Sequence, residues 1–529
     1  MTNIVKQPCD EGVIRSKPCI QPCTRNLRPW ILAATILGSS MAMIDGTVVN
    51  VALPVLQSVL NATTADVQWI VESYALFLAA LILVGGSLGD RFGRRRIFAY
   101  GVTLFAAASV WCGLSPNVHQ LIFARAIQGI GGALLVPGSL AIISASFSAE
   151  QRGRAIGTWS GFTGITSALG PVLGGWLVEN ASWRWIFFLN VPIAAIILGI
   201  LFWRVPESRD RNSANTKLDW WGAVLVTVGL GTLVYGLIES SHLGWNHPKV
   251  ISAIAVSIPA LLGFIFVEAN SSTPMMPLGL FRDRTFSGAN LLTLLLYMAL
   301  SGILFFFPFN LIQVQGYSAT AAGAAFLPFI LIMFFLSRWS GGLVSRYGSQ
   351  RPLTIGPIIA AIGLAGFALP GIGGSYWMTF FPAVVVLGLG MAITVAPLTT
   401  TVMGAVNESQ AGIASGINNA VARTAGLLSI ALLSIALLRA FNYNLDHRLA
   451  NLNLTAQVQQ ALDAQRIKLA GAEVPAGLTP DLTAVIRQAI AASFVDSFRL
   501  VIFISIGLAL VSALIAALML KPKRTANRT

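Results

Sequence analysis

Fourteen runs of roughly 20 mostly apolar residues can be placed along this chain of 529 residues, and that succession leaves few folds open. They lie near 30–53, 66–88, 96–115, 119–146, 155–178, 184–204, 219–239, 250–268, 286–307, 318–340, 353–372, 376–398, 410–438 and 498–520. A chain crossing hydrocarbon must satisfy its own backbone polar groups, so only helices or a closed barrel can span. A barrel would show alternating segments of about ten residues, whereas these runs are continuous. The expectation is an all-α polytopic membrane protein with 14 transmembrane helices. Charged residues make up only 10% of the chain, against about 25% in soluble domains.

The connections between the runs set the topology. The turn Gly85-Gly86-Ser87-Leu88-Gly89-Asp90-Arg91-Phe92-Gly93-Arg94-Arg95-Arg96 carries four arginines. They are costly inside hydrocarbon, so the turn lies outside it and, by the positive-inside tendency, faces the cytoplasm. Connections after the other even-numbered runs are also basic: Arg152 and Arg154; Arg204, Arg209, Arg211 and Lys217; Arg282 and Arg284; Arg346 and Arg351. Those after odd-numbered runs, such as Gln57 to Thr64 and Gly371 to Ser375, carry little charge. An even count returns both ends to one side, and the ending Lys521-Pro522-Lys523-Arg524 agrees. The expected location is the cell inner (plasma) membrane, multi-pass, with cytoplasmic N- and C-termini. No cleavable signal peptide is apparent before Trp30. The net charge of +14 sits in short clusters, which suits anionic headgroups and argues against nucleic-acid binding. Cys9, Cys19, Cys23 and Cys112 match no metal-site spacing and read as free thiols.

The Arg-rich turn has an echo. Gly86, Leu88, Arg91, Gly93 and Arg96 correspond at constant offset to Gly341, Leu343, Arg346, Gly348 and Arg351, with Ser345 opposite Asp90. A parallel repeat implies two bundles with a ligand site between them. Six runs per half leave those near 219–239 and 250–268 as an inserted pair. The expected division is a cytoplasmic tail (1–29), an N-terminal six-helix bundle (30–206), a cytoplasmic link with two inserted helices (207–270), a C-terminal six-helix bundle (271–520) and a second tail (521–529). Within the last bundle, 440–495 is a long extracytoplasmic loop, whose Leu445, Leu449, Leu452 and Val458 suggest short amphipathic helices.

Five motifs in order then carry a family resemblance. They are the turn from Gly85 to Arg96, Ile44-Asp45-Gly46-Thr47-Val48-Val49-Asn50-Val51-Ala52-Leu53-Pro54, Arg125-Ala126-Ile127-Gln128-Gly129-Ile130-Gly131-Gly132-Ala133, Gly170-Pro171-Val172-Leu173-Gly174-Gly175, and Trp183-Arg184-Trp185-Ile186-Phe187-Phe188-Leu189-Asn190-Val191-Pro192. Together they resemble the major facilitator superfamily, specifically its fourteen-span drug:proton antiporter group. The resemblance implies the major facilitator fold, two six-helix bundles plus two inserted helices. It also implies alternating access, and a role for the deep arginine of the fourth span in proton transfer.

Individual residues sharpen this. Asp45 lies mid-span, where a carboxylate is expensive and therefore a functional candidate; it can hold a proton and release it when a cation or water arrives. Asn50 extends a polar track along the same helix. Glu72 is a second acid near the outer end of the second span. Arg125 needs acceptors, for which Asp45, Glu72 and backbone carbonyls are the candidates. These three form the expected proton-coupling set. Gly164, Gly170, Pro171, Gly174 and Gly175 make a helix face without side chains that lets another helix approach closely, with a proline able to kink it. Gly86, Gly89, Asp90, Arg91, Gly93, Arg94 and Arg95, with Arg346 and Gly348, are the expected conformational gate. Spans nine to thirteen carry no Asp or Glu in their apolar interiors. Tyr297, Phe306, Asn310, Gln313, Asn418 and Asn419, with Asn50, are expected to line an apolar, hydrogen-bonding substrate cavity.

The expected function is proton-coupled efflux of lipophilic or amphipathic small molecules, a multidrug-type antiporter and not an enzyme. No metal or cofactor is called for; the drive is a proton gradient. Partners are the lipophilic substrate, protons and the lipid bilayer, with a periplasmic adaptor protein as a further candidate, and the working unit is a monomer. Export of one specific metabolite is the alternative. A sensor or scaffold should carry a soluble output domain, and neither tail shows one. A membrane enzyme needs clustered chemistry, whereas His119, His242, His247 and His447 are scattered.

Overall fold

The computed structural model describes residues 26–520 apart from 148, 209–218, 272–273, 407–409, 451, 453 and 476; residues 1–25, with Cys9, Cys19 and Cys23, and 521–529 lie outside the described residues. Helices and turns make up the described chain, with no strand among the described residues. The first half comprises α1 (Arg28–Val59), α2 (Thr64–Phe92), α3 (Arg94–Leu114), α4 (Val118–Ser146), α5 (Ala149–Asn180) and α6 (Asn190–Arg204). The helices α7 (Trp220–Leu243) and α8 (Pro248–Asn270) follow. The second half holds α9 (Arg284–Phe309), α10 (Leu327–Ser340), α11 (Gln350–Ala368), α12 (Phe381–Gly404), α13 (Ala411–Leu449) and α14 (Pro480–Met519). Among the described residues, thirteen helices are long and apolar enough to cross a membrane. α5, at 32 residues, also has the length, which is consistent with fourteen crossings.

Local chemistry explains where the helices begin and break. α2 opens on a capping box: the Thr63 hydroxyl accepts from the Asp66 amide, and the Asp66 carboxylate accepts from the Thr63 amide. Asn117 and Asp283 cap α4 and α9 through their side chains. Proline occupies the first turn of α1, α8 and α14, where no amide donor is missed. α2 and α3 are parted by Gly93 at φ +113°, and the matching position before α11, Gly348, has φ +78°. Both lie in the left-handed region that side chains avoid. The repeat seen in sequence is thus a repeat of backbone geometry.

The side carrying the Arg-rich turn is the basic face of the molecule, and the opposite side is the far face. α7 and α8 do not extend either bundle. α7 packs across a seam where Leu76 and Ala79 of α2 meet Leu427 and Ala431 of α13, contributing Leu230, Val234, Leu237 and Ile238.

The far face is covered by chain that the sequence pattern assigns to a loop. α13 and α14 run for 39 and 40 residues, about 58 and 60 Å at 1.5 Å per residue, against a hydrocarbon core of about 30 Å. Leu445 and Leu449, expected in separate short helices, are the buried end of α13. No Gly or Pro stands between Leu438 and Leu449 to stop it. Val458 does lie in a short helix, Ala456–Gln465, which leads into the tight turn Arg466–Gly471. That turn seats on the first half: the Thr64 hydroxyl donates to the Ile467 carbonyl, and the Lys468 ammonium donates to Asn61 Oδ1 at 3.4 Å. Leu469 is buried there in the left-handed region at φ +55°.

Candidate proton and transport site

The first half buries a polar knot that holds an acid and a base together. Asp45 of α1, Arg125 and Gln128 of α4, Ser109 of α3 and Asn190 of α6 are all at most 1% exposed. Arg125 Nη1 donates to Asp45 Oδ2 at 2.5 Å and to Gln128 Oε1 at 2.8 Å. Asp45 Oδ1 accepts from Gln128 Nε2 at 2.8 Å and from Asn190 Nδ2 at 3.1 Å. Asn190 and Gln128 also donate to the Ser109 hydroxyl, which itself donates to the Phe187 carbonyl at 2.8 Å. Arg125 Nε donates to the Ile70 carbonyl at 3.1 Å, and its guanidinium lies 4.2 Å from the Tyr74 ring centre. The Cys112 thiol donates to Gln128 Oε1 at 3.6 Å.

This arrangement is chemically specific. Both oxygens of Asp45 accept hydrogen bonds, the environment of an ionised carboxylate, and the guanidinium supplies the balancing charge. A charge deep in a membrane helix costs about 3 kcal/mol, and pairing with hydrogen bonds to the remaining positions is the known remedy. One carboxylate joins α1 to α4 and α6, and Ser109 brings α3 into the same network through Gln128 and Asn190.

The structure separates the third member of the expected set. Glu72 is 0% exposed, and neither of its oxygens has a hydrogen-bond partner among the described residues. Arg125 therefore pairs with Asp45 and the Ile70 carbonyl and not with Glu72. Helix geometry explains it: positions two apart on a helix differ by about 200°, so Ile70 and Tyr74 face α4 while Glu72 faces away.

The Arg-rich turn is tied to its own half. Arg94 pairs with Asp90 at 2.8 Å. The Arg95 amide donates to Glu207 Oε1 at 3.0 Å, and its guanidinium donates to the Val205 carbonyl at 3.0 Å. Arg91 stacks over Phe92 at 5.3 Å, as Arg346 does over Tyr347 at 5.4 Å. In the second copy Ser345 donates to the Gly342 carbonyl instead of forming an acid–arginine pair. A Cβ at Gly93 would lie 2.7 Å from the Glu207 carboxylate, the movable end of a flexible side chain, so the case for glycine there rests on its backbone angle. At Gly86 and Gly89 a Cβ would meet only ordinary contacts.

The glycines of α5 bring helices together. A Cβ on Gly170 would lie 2.0 Å from Thr47 Oγ1, and one on Gly174 3.0 Å from Val48 of α1. Gly175 reaches the other half, where a Cβ would sit 2.3 Å from the Ala319 carbonyl. The Pro171 carbonyl is equally close to Gly323, whose Cβ would lie 2.1 Å from it. The surroundings of Gly164 lie outside the described residues.

The expected cavity residues are held by contacts of their own. Asn418 donates to Asn290 Oδ1 at 3.1 Å and Thr293 Oγ1 at 2.7 Å, and Asn419 donates to the Ser415 carbonyl. Phe306 is buried against Phe305, and Asn310, in a π turn after α9, accepts from Gln315. Gln313 crosses between halves, donating to Gln57 Oε1 at 2.9 Å. Tyr297 and Asn50 are half-buried. Sequence reasoning missed four participants in the polar knot: Gln128, Asn190, Ser109 and Tyr74. Gln128, three residues after Arg125 and so on the same helix face, carried a readable signal. Ser109 carried none.

Residues 35–430 match the family model described as Major Facilitator Superfamily. The chain is 33% identical over 499 residues to the tetracenomycin C resistance and export protein of Streptomyces glaucescens, covering 92% of this chain and 91% of that one. It is 35% identical over 417 residues to the multidrug resistance protein Stp of Mycobacterium tuberculosis, covering 77% of this chain and 75% of that one. Its fold resembles a solved bacterial homologue of the human lysosomal transporter Spinster, inward-facing and unoccupied, with a TM-score of 0.60 over 93% of this chain and 98% of that chain at 18% identity. It also resembles the inward-open xylose transporter XylE of E. coli, with a TM-score of 0.57 over 94% and 98% at 14% identity. With two six-helix bundles, an inserted pair and relatives about one-third identical across most of its length, the chain belongs to the Major Facilitator Superfamily.

Proposed function

We propose that this transporter exports lipophilic or amphipathic small molecules in exchange for protons, by alternating access. The observation that supports it most is the Asp45–Arg125 pair, a fully buried carboxylate whose partners come from two other helices. Protonating Asp45 removes the charge that Arg125 answers, so the contact between α1 and α4 weakens and the balance between two bundle arrangements shifts. The relatives named for resistance and export support efflux as the direction. α9 to α12 contain no Asp or Glu, which favours neutral or cationic substrates over anionic ones. The basic face is then cytoplasmic and the membrane the plasma membrane. The halves divide at 206/207 and 270/271, and one chain is the working unit. Any periplasmic adaptor has the far-face cap to dock on.

Asp45→Asn is expected to abolish efflux driven by a pH gradient in inverted vesicles while membrane insertion stays normal. Unchanged efflux would remove Asp45 from the mechanism. Counterflow of labelled compounds in proteoliposomes separates broad export from export of a single metabolite.

A further inference from the structure

We infer that Glu72 is a second proton-binding site, separate from the Asp45 knot and placed where the two halves meet the inserted helix α7. This deepens the proton-coupled reading and rests on it for its meaning in transport.

Three observations carry it. Glu72 is completely buried, with both carboxyl oxygens unpartnered among the described residues. It stands on the helix stripe Ala65, Gln68, Leu76 and Ala79, spaced so that successive members lie three or four residues from it or from each other. Leu76 and Ala79 are the α2 residues of the junction with Leu230 and Val234 of α7 and Leu427 and Ala431 of α13. Trp69 and Ala65, one and two turns before Glu72, pack on the same junction, with the Trp69 ring 6.0 Å from that of Tyr235 on α7.

The elements packed against α2 bring other titratable groups, and none of them pairs with this acid. α7 brings Tyr235 and Glu239, and α13 brings Arg423 and Arg439; none is a hydrogen-bond or ion-pair partner of the Glu72 carboxyl. Asp45 and Arg125 are bonded to each other behind α2, and Lys468 of the far-face turn is bonded to Asn61. An isolated carboxylate in such surroundings is far too costly to persist, so in this conformation the group is the neutral acid. Asp45, by contrast, accepts hydrogen bonds at both oxygens, from Arg125, Gln128 and Asn190. The two acids thus stand in opposite surroundings, one fully hydrogen-bonded and one unpartnered among the described residues. The inserted pair has a defined role in this arrangement: α7 seals the Glu72 proton from solvent until the seam between α2 and α13 opens.

The test is modification by dicyclohexylcarbodiimide, an apolar reagent that adds across a protonated buried carboxyl to leave a stable N-acylurea. The purified full chain is treated over a range of pH and the adduct mapped by peptide mass spectrometry. The expected result is an adduct on Glu72 that declines as pH rises, none on Asp45, and none in Glu72→Gln. Absence of a Glu72 adduct at every pH, or an adduct on Asp45 instead, overturns the proposal. In proteoliposomes Glu72→Gln is expected to shift the pH profile of efflux; an unchanged profile also overturns it. Mapping on the native chain needs no variant to fold. It is also independent of Asp45→Asn, whose failure to stop efflux would sink the first reading and leave the adduct on Glu72 in place.

Discussion

Arg125 holds Asp45, Gln128 and the Ile70 carbonyl with one planar group while lying over the Tyr74 ring. A lysine is a point charge on a flexible stem and cannot reproduce that fork. Arg125→Lys is therefore expected to insert normally but lose at least one charge-assisted bond, about 1.5–3 kcal/mol, and to lower efflux roughly 10- to 100-fold in vesicles. Gln128→Leu keeps the volume but strips donor and acceptor from the centre of the knot. It should destabilise the detergent-solubilised protein by about 1–3 kcal/mol, read as a fall in Tm. Asp45 and Arg125 were legible as membrane-embedded charges because any charge at that depth stands out. Ser109 was not, because a serine in an apolar helix is ordinary until its partners are known. Glu72 was legible as an acid. That it avoids Arg125 depended on which face of α2 meets α4.

At the scale of the element, α5 and the α2–α3 break show how absent side chains shape the molecule. The Gly175 contact with Ala319 is between halves, so a side chain there acts on the contact itself. Gly175→Val is expected to hold the far ends of the halves apart, raising the labelling of single cysteines at Glu179 and Thr320 by a membrane-impermeant thiol reagent. Unaltered labelling would show that this contact does not seal the far face. At Gly93 the φ of +113° strains any side chain, and a Cβ would also push the Glu207 carboxylate aside. Gly93→Ala should cost about 1–3 kcal/mol of strain and loosen the ties to Val205 and Glu207, visible as a lower Tm. The glycine motifs were readable as close-packing surfaces. Their partners were not, because a bare helix face is complementary to many others.

At the scale of the whole molecule, hydrogen bonds between the halves gather at the far face: Gln313 to Gln57, Thr320 to Glu179, and the 466–471 turn to Asn61 and Thr64. Alternating access requires them to break. A Gln57→Cys/Gln313→Cys double variant, joined by a short bifunctional thiol crosslinker with a cleavable spacer, is expected to lose efflux and to recover it when the spacer is cut. Efflux that continues through the crosslinked protein would show that the far face need not open there. The cap contributes to the same closure, since Leu469 is buried against the bundle core in a strained conformation and must be withdrawn whenever the halves part.

The sequence by itself determined the helical membrane architecture, the two-sided distribution of charge, the repeat and its insertion, and the few acids and bases that could carry a proton. It could do so because hydrocarbon penalises charge and unpaired backbone so heavily that spans, turns and embedded ions are written in composition alone. Only the tertiary structure decided which of those groups meet. The Asp45–Arg125 knot, the isolation of Glu72 at the α2–α7–α13 seam, and the folding of the long connection into a cap all depend on helix rotation and packing. In lipid, small-residue close approach sets those, and many pairings are locally equivalent until the whole bundle is assembled.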